Sequence, residues 1–168
     1  MWNSQNSEAI LAGLYDAGVE FIVVGGAAAV LLSTPVVTED VDIVHRRTPE
    51  NIARLLPWLL AHGAYHRYDL ANRRLPPKAD ALGGHGHLNL QTDLGKLDVL
   101  CELAEGEGYE EILEDTIVLA DAPRPLRVLA LPRLIAVKAR VGRPKDRAVL
   151  PVLLAALDEQ RRREQQKP

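Results

Sequence analysis

The sequence predicts an α+β fold, one mixed β-sheet flanked by helices in a single domain. Three observations predict it. Short apolar runs of strand length, at 21–24 and 97–101, alternate with longer segments whose apolar residues recur at helical spacing. The 168 residues match one domain of ~100–200 residues. The hydrophobic content of 47% is that of a globular protein, and no repeat or linker-like stretch interrupts it.

The elements follow in order. Ser7 is placed to cap a first helix carrying Ile10, Leu11 and Leu14, and Gly18 ends it. Phe21-Ile22-Val23-Val24 reads as a buried strand stopped by Gly25-Gly26, with a short helix over 27–32 and a second strand over 41–44. Thr48-Pro49-Glu50 combines a capping Thr, a Pro at the first helical position and an acid in the first turn. The helix it opens carries Ile52, Leu55, Leu56 and Leu59 and closes at Gly63.

Residues 67–86, with Pro76-Pro77 and Gly83-Gly84, read as an irregular loop. Segments 87–91 and 97–101 form a hairpin about Thr92-Asp93-Leu94-Gly95, and 109–113 is a short helix before strands at 116–120 and 126–129. Pro132 opens a helix that reaches Val141, and Gly142-Arg143-Pro144-Lys145 breaks it. Asp146 is expected to cap the last helix, with Val149, Leu150, Val152 and Leu153 on its apolar face and Pro151 near its start. The domain spans 1–160, and 161–168 reads as a polar, frayed tail.

Composition narrows the functional classes. Lys and Arg total 20 against 23 Asp and Glu, a net charge of −3, so the chain is not a uniformly basic nucleic-acid binder; a local basic patch is still compatible. At 4% aromatic residues, it lacks the rings of a base-stacking platform. Cys101 is the single cysteine, which excludes an intramolecular disulfide and points to a reducing compartment. No signal peptide is recognisable, and the longest apolar stretch, 21–32, contains Gly25-Gly26 and is shorter than the ~20 residues a membrane helix needs. The expectation is a cytoplasmic protein of bacterial type with no membrane partner.

Three carboxylates carry the chemical signal. Asp40 and Asp42 flank Val41 at the start of a strand, and residues two apart on a strand share a face. Two acids held that close repel unless a cation lies between them, and Mg²⁺, with Mn²⁺ as an alternative, is the hard cation for carboxylates and phosphate oxygens. An acid pair at a strand end is also a common solvated edge. Asp98 stands inside Lys96-Leu97-Asp98-Val99-Leu100, where an unpaired carboxylate is costly and needs a partner. If the two strands are neighbours, three carboxylates converge, an arrangement suited to two-metal phosphoryl chemistry.

Gly25-Gly26 ends one strand and precedes a helix, a place where glycine permits a tight turn or the close approach of a phosphate. Neither Gly-Lys-Ser/Thr nor Gly-x-Gly-x-x-Gly is present, so it is neither a P-loop nor a dinucleotide fingerprint. Lys138 sits among Leu134, Ile135 and Val137, where it either snorkels to solvent or reaches an anion; Arg143 and Lys145 are the next basic candidates. His85-Gly86-His87 lacks a third metal-binding neighbour in sequence. Arg73, Arg74 and Lys78 in the loop either guide an acidic acceptor or are solvated, and Cys101 reads as core.

The combination Val24-Gly25-Gly26, thirteen residues, Asp40-Val41-Asp42-Ile43 and later Asp98 resembles the nucleotidyltransferase superfamily that includes DNA polymerase β. It is most similar to small bacterial members of the AbiEii-toxin and minimal-nucleotidyltransferase type. Leu134-Ile135-Ala136-Val137-Lys138 and Gly142-Arg143-Pro144-Lys145-Asp146 extend the likeness, which covers roughly 8–157. Gly26 stands where many relatives have Ser, and the Arg that often precedes the Asp pair has no counterpart in Pro35-Val36-Val37-Thr38-Glu39.

The resemblance implies a nucleotidyltransferase-like fold and transfer of a nucleoside monophosphate from an NTP such as ATP to a hydroxyl. It implies that Gly25 and Gly26 hold the β- and γ-phosphates, with Lys138 and Arg143 also binding nucleotide. Asp40, Asp42 and Asp98 would bind Mg²⁺, and Asp98 would also help activate the acceptor. It further implies an acceptor RNA or a partner protein such as a HEPN-type toxin, in a toxin–antitoxin setting. Two other readings stay open: a non-catalytic nucleotide- or partner-binding protein of the same fold, and transfer to a small molecule of aminoglycoside type.

Overall fold

Every residue of Phe21–Val24 (β1) is buried, as a continuously apolar strand at the centre of a sheet requires. The structure is a computed structural model and describes residues 5–121 and 124–167. After α1 (Ser7–Asp16) and β1 come α2 (Gly25–Leu31), β2 (Asp40–His45), α3 (Pro49–Ala61), β3 (Tyr65–His66) and α4 (Ala79–Leu82). The hairpin β4 (His87–Thr92) and β5 (Gly95–Leu100) follows, then α5 (Tyr109–Ile112), β6 (Thr116–Leu119), β7 (Leu126–Leu129), α6 (Leu131–Val141) and α7 (Pro144–Gln165).

The seven strands form one sheet in the order β3-β4-β5-β2-β1-β7-β6. Two pairings are parallel, β2 with β5 and β1 with β7; the others are antiparallel. The expected mixed α+β architecture is therefore what forms. The core is aliphatic: Ile22, Ile43, Leu90, Leu97 and Val128 on the strands and Ile10, Leu14, Leu55 and Leu59 on the helices are all fully buried. α1 packs on α3, β2 and β5, while α2 lies against β1, β2 and β7 and meets α6, which pairs with α7.

Several boundaries differ from the sequence reading. Asn6, not Ser7, caps α1 by accepting from the Ala9 amide at 3.0 Å. α2 begins at Gly25 itself, so the two glycines are its first turn rather than a gap before it. The stretch 67–86 is not wholly irregular, since it contains α4. α7 starts at Pro144, whose missing amide is unneeded at a helix start. That places Asp146 inside the first turn and Pro151 within the helix. The polar end stays helical through Gln165, supported by the Gln160–Glu164 hydrogen bond and the Arg163–Glu159 ion pair one turn apart.

Asn51 pins the sheet to α3. It is fully buried. Its Oδ1 accepts from the Glu20 amide at 2.7 Å, and its Nδ2 donates to the carbonyls of Glu20 at 2.9 Å and Arg46 at 2.8 Å. One side chain thus satisfies backbone groups at the start of β1 and just past the end of β2. Thr48 caps the same helix by accepting from the Asn51 amide at 3.2 Å. Asn51→Leu would strip the Glu20 amide and the Arg46 carbonyl of this partner, while the Glu20 carbonyl keeps the Arg46 amide at 3.1 Å, and should cost about 2–3 kcal/mol. Thermal melting checks it; an unchanged Tm would contradict the clamp.

Candidate active site

β2 and β5 run parallel with Val41 opposite Leu97, Asp42 opposite Asp98 and Ile43 opposite Val99. The four apolar side chains are fully buried on one face, so period-two alternation sends Asp40, Asp42 and Asp98 to the other. β1 pairs antiparallel on the far side of β2, with Val24 opposite Asp42. The end of β1 and the glycine turn are thereby delivered to the carboxylates.

Glycine is required at that turn by the acid beside it. Gly25 has a φ of +62°, and a Cβ there would lie 2.5 Å from Asp42 Oδ2. A Cβ on Gly26 would lie 2.8 Å from the Thr38 hydroxyl oxygen. That hydroxyl in turn donates to the Asp40 carbonyl at 3.1 Å. The backbone therefore passes against the acid row with no side chain between them.

The row is crowded. Burial pushes the Asp42 carboxyl up from 3.8 to about 7, and the charges of Asp98 and Asp40 and a hydrogen bond with Asp98 push in the same direction, while Lys138 opposes them. Asp98 has the partner that its strand position demanded: Arg67 Nη1 donates to its Oδ1 at 2.6 Å. The other nitrogen, Nη2, lies 3.7 Å from Asp40 Oδ2. Asp40 Oδ1 is buried without a hydrogen-bond partner among the described residues; its nearest cation, Lys96 Nζ, is 3.9 Å away. Sequence reasoning missed Arg67. It follows the two-residue strand β3, too short for periodicity to reveal, and the one available signal was that Asp98 had to be paired.

The opposite wall of the cleft is basic and comes from the α6–α7 corner. Gly142, with a φ of +64°, ends α6 in the left-handed cap. Asp146, only 1% exposed, accepts from Lys138 Nζ at 3.2 Å and from Arg143 Nε at 2.7 Å. Burial works to raise the Asp146 carboxyl, but these two cations win and hold it below its ordinary value. The expectation that Asp146 is a helix cap is corrected: the cap position is Arg143, and the Asp146 side chain ties two cations together. Lys138 neither snorkels freely nor stands alone.

A cleft of about 490 Å³ is lined by Gly25, Gly26, Asp40, Asp42, Asp98, Lys138 and Arg143, and also by Lys145 and Asp146. The seven residues singled out from the sequence thus meet at one place. A second hollow of about 520 Å³ shares the wall Val36, Val37 and Thr38 but is lined mainly by apolar side chains such as Leu11, Ala27 and Val30. The first gathers charged side chains of both signs, which the second largely lacks.

The donor set of the first suits a hard divalent cation. Asp40 offers an orphaned buried oxygen, and at Asp42 burial and the neighbouring acids outweigh the charge of Lys138. No three His, Cys, Asp or Glu side chains among the described residues already stand as a finished metal cage, and within the row Asp98 is engaged by Arg67.

The remaining signals resolve into structural pairs. His85 Nδ1 lies 2.6 Å from Glu102 Oε1, and His87 Nε2 lies 3.0 Å from the Glu102 carbonyl. Arg73 pairs with Asp69 at 2.8 Å, and Arg74 lies over the Tyr65 ring. Cys101 is buried, its thiol near the Ala81 and Leu82 carbonyls. No helix among the described residues is long and apolar enough to cross a membrane.

Two outcomes follow from the crowding. A raised folded-state value means that the neutral Asp42 stabilises the fold. In cation-free buffer that stability is present below about pH 3.8 and is lost as pH rises to about 7, by up to ~4 kcal/mol. Asp42→Asn, neutral at every pH, should flatten that part of the Tm-versus-pH curve; superimposable curves would contradict the crowding. Gly25→Ala meets both a left-handed backbone and the Asp42 carboxylate, and should lower stability by about 1–3 kcal/mol by thermal melting.

No protein-family model matches the sequence, and no curated protein matches it. Solved structures do. A proposed nucleotidyltransferase from Thermotoga maritima superposes with a TM-score of 0.54 at 17% identity, covering 87% of this chain and 91% of that one. An antigenic nucleotidyltransferase-like protein from Paracoccidioides brasiliensis superposes with a TM-score of 0.58 at 17% identity, covering 90% of this chain and 73% of that one. The chain has the nucleotidyltransferase-like fold, and its acid row, glycine turn and basic corner meet within that fold.

Proposed function

We propose that the chain is a divalent-cation-dependent nucleotidyltransferase that moves a nucleoside monophosphate from an NTP to a hydroxyl. The observation that carries this reading is the cleft itself. A register-fixed row of carboxylates, Asp42 against Asp98, faces the cations Lys138 and Arg143 across a space of about 490 Å³. The nucleotidyltransferase-like fold supports it.

In the proposed reaction the acceptor oxygen bonds to the α-phosphorus. The bond from that phosphorus to the bridging oxygen of the β-phosphate breaks, and pyrophosphate leaves with the bridging oxygen. The hydroxyl proton passes to a carboxylate of the row. Such a transfer asks the protein chiefly for positioning and charge. Asp40 and Asp42 would hold Mg²⁺ or Mn²⁺, which when bound supplies neutralisation of the triphosphate. The backbone at Gly25 and Gly26 would admit the β- and γ-phosphates, and Lys138 and Arg143 would meet them from the opposite wall. Asp98 would orient the acceptor hydroxyl. The acceptor class is an RNA end or a hydroxyl of a partner protein, in keeping with a role in a toxin–antitoxin pair.

A second reading is a partner-binding protein that keeps the fold without transfer. The Arg67–Asp98 ion pair at 2.6 Å favours it, because part of the acid row is already neutralised from within. Calorimetry with ATP, GTP, CTP and UTP, with and without Mg²⁺, separates the two. The enzyme reading expects Mg²⁺-dependent binding of at least one NTP, weakened at least ~10-fold in Asp42→Asn, the loss of one charged contact. A folded wild type that binds none of the four would overturn it in favour of the partner-binding reading.

A further inference from the structure

Arg67 is held in the acid row by more than charge. Its Nη1 donates both to Asp98 Oδ1 at 2.6 Å and to the Leu90 carbonyl at 3.0 Å. Its guanidinium carbon lies 4.9 Å from the centre of the Tyr68 ring. Nη2 faces Asp40 Oδ2 at 3.7 Å. The Arg67 side chain is 11% exposed and that of Asp98 14%, so the pair is screened little by solvent and is not an ordinary surface ion pair. β4 supplies the carbonyl, β5 the carboxylate and the segment after β3 the guanidinium, so three neighbouring pieces of backbone fix one positive charge beside the carboxylates.

A carboxylate oxygen that accepts a short hydrogen bond from a guanidinium is a poorer ligand for a metal ion, because both cations draw on the same lone pairs and the same negative charge. We propose that Arg67 is the resident counter-cation of the carboxylate row and competes with divalent cations for Asp98, which sets how tightly the nucleotide-free protein holds its metal. The inference rests on reading the row as a cation site. It adds that one of the three carboxylates is committed to an internal cation at rest. Asp40 meets the same guanidinium only at 3.7 Å and keeps Oδ1 without a hydrogen-bond partner among the described residues, and Asp98 becomes a full ligand only when the guanidinium leaves it. A triphosphate offers anionic oxygens that can draw Arg67 away, so nucleotide would raise cation affinity and the cation would raise nucleotide affinity by the same factor.

Mn²⁺ binding to the full, nucleotide-free chain, followed by the loss of the free-ion electron paramagnetic resonance signal, tests this. Arg67→Gln, which keeps length and planarity but removes the charge, should bind Mn²⁺ about tenfold tighter than wild type, the lower end of what one close opposite charge does to a carboxylate. Arg67→Lys, which keeps the charge and loses the fork, should fall between them. Asp40→Asn should abolish binding in both backgrounds, which locates the ion. A merely structural Arg67 would lower Tm without tightening Mn²⁺ binding.

Equal affinities in wild type and Arg67→Gln, with Asp40→Asn still abolishing both, would overturn the competition and leave the cation site standing. Failure of every protein to bind Mn²⁺ would overturn the cation site and the competition with it. Should Arg67→Gln be unfolded in cation-free buffer, circular dichroism reads the same contest. Refolding on addition of Mn²⁺ supports it, and no refolding contradicts it.

Discussion

The parallel pairing of β2 with β5 is the constraint on which the site depends. Because Val41 and Ile43 must face the core beside Leu97 and Val99, Asp42 has no choice but to stand next to Asp98. A shift of one residue in either strand would turn the acids into the core and the valines out. The hydrophobic interior therefore enforces an electrostatic problem on the opposite face. Every charged feature nearby can be read as an answer to it: Arg67 on Asp98, Lys138 acting on Asp42 from across the cleft, and a neutral Asp42 below about pH 7.

The glycine turn belongs to the same constraint. Antiparallel pairing of β1 brings Val24 level with Asp42, and the next residue bends away so close to it that a Cβ there would lie 2.5 Å from the carboxylate oxygen. Only a residue without a Cβ fits that place. The cations on the far wall are organised by a different device. Asp146, buried at the base of the α6–α7 corner, draws Lys138 and Arg143 together. Removing that carboxylate would leave two cations to repel each other at the place where a polyanion is proposed to dock.

Much of this is legible in the sequence, for physical reasons. β1, β2 and β5 are strongly patterned, and the pattern alone fixes which residues share a face. Thr48-Pro49 marks a helix start because capping is local chemistry. Asp98 announces itself as a carboxylate that cannot stand unpaired among Leu97 and Val99. What stayed hidden depends on contacts distant in sequence. Arg67 lies 31 residues from Asp98 in a segment without periodicity. Asn51 resembles any polar residue early in a helix until the ends of β1 and β2 arrive beside it. Asp146 looks like a cap because caps are commonly acidic, yet Pro144 had already started the helix.

In the proposed function the acid row and the basic corner form one site, with the cation on the acids and the triphosphate spanning the cleft. Crystals grown with Mn²⁺ and a non-hydrolysable NTP analogue, with anomalous scattering at the manganese edge, test it most directly. The expected result is a manganese peak bonded to Asp40 and Asp42, phosphates running past Gly25 and Gly26, and Lys138 and Arg143 on the opposite side. A manganese peak elsewhere, or a nucleotide lodged in the apolar hollow walled by Leu11 and Val30, would contradict it.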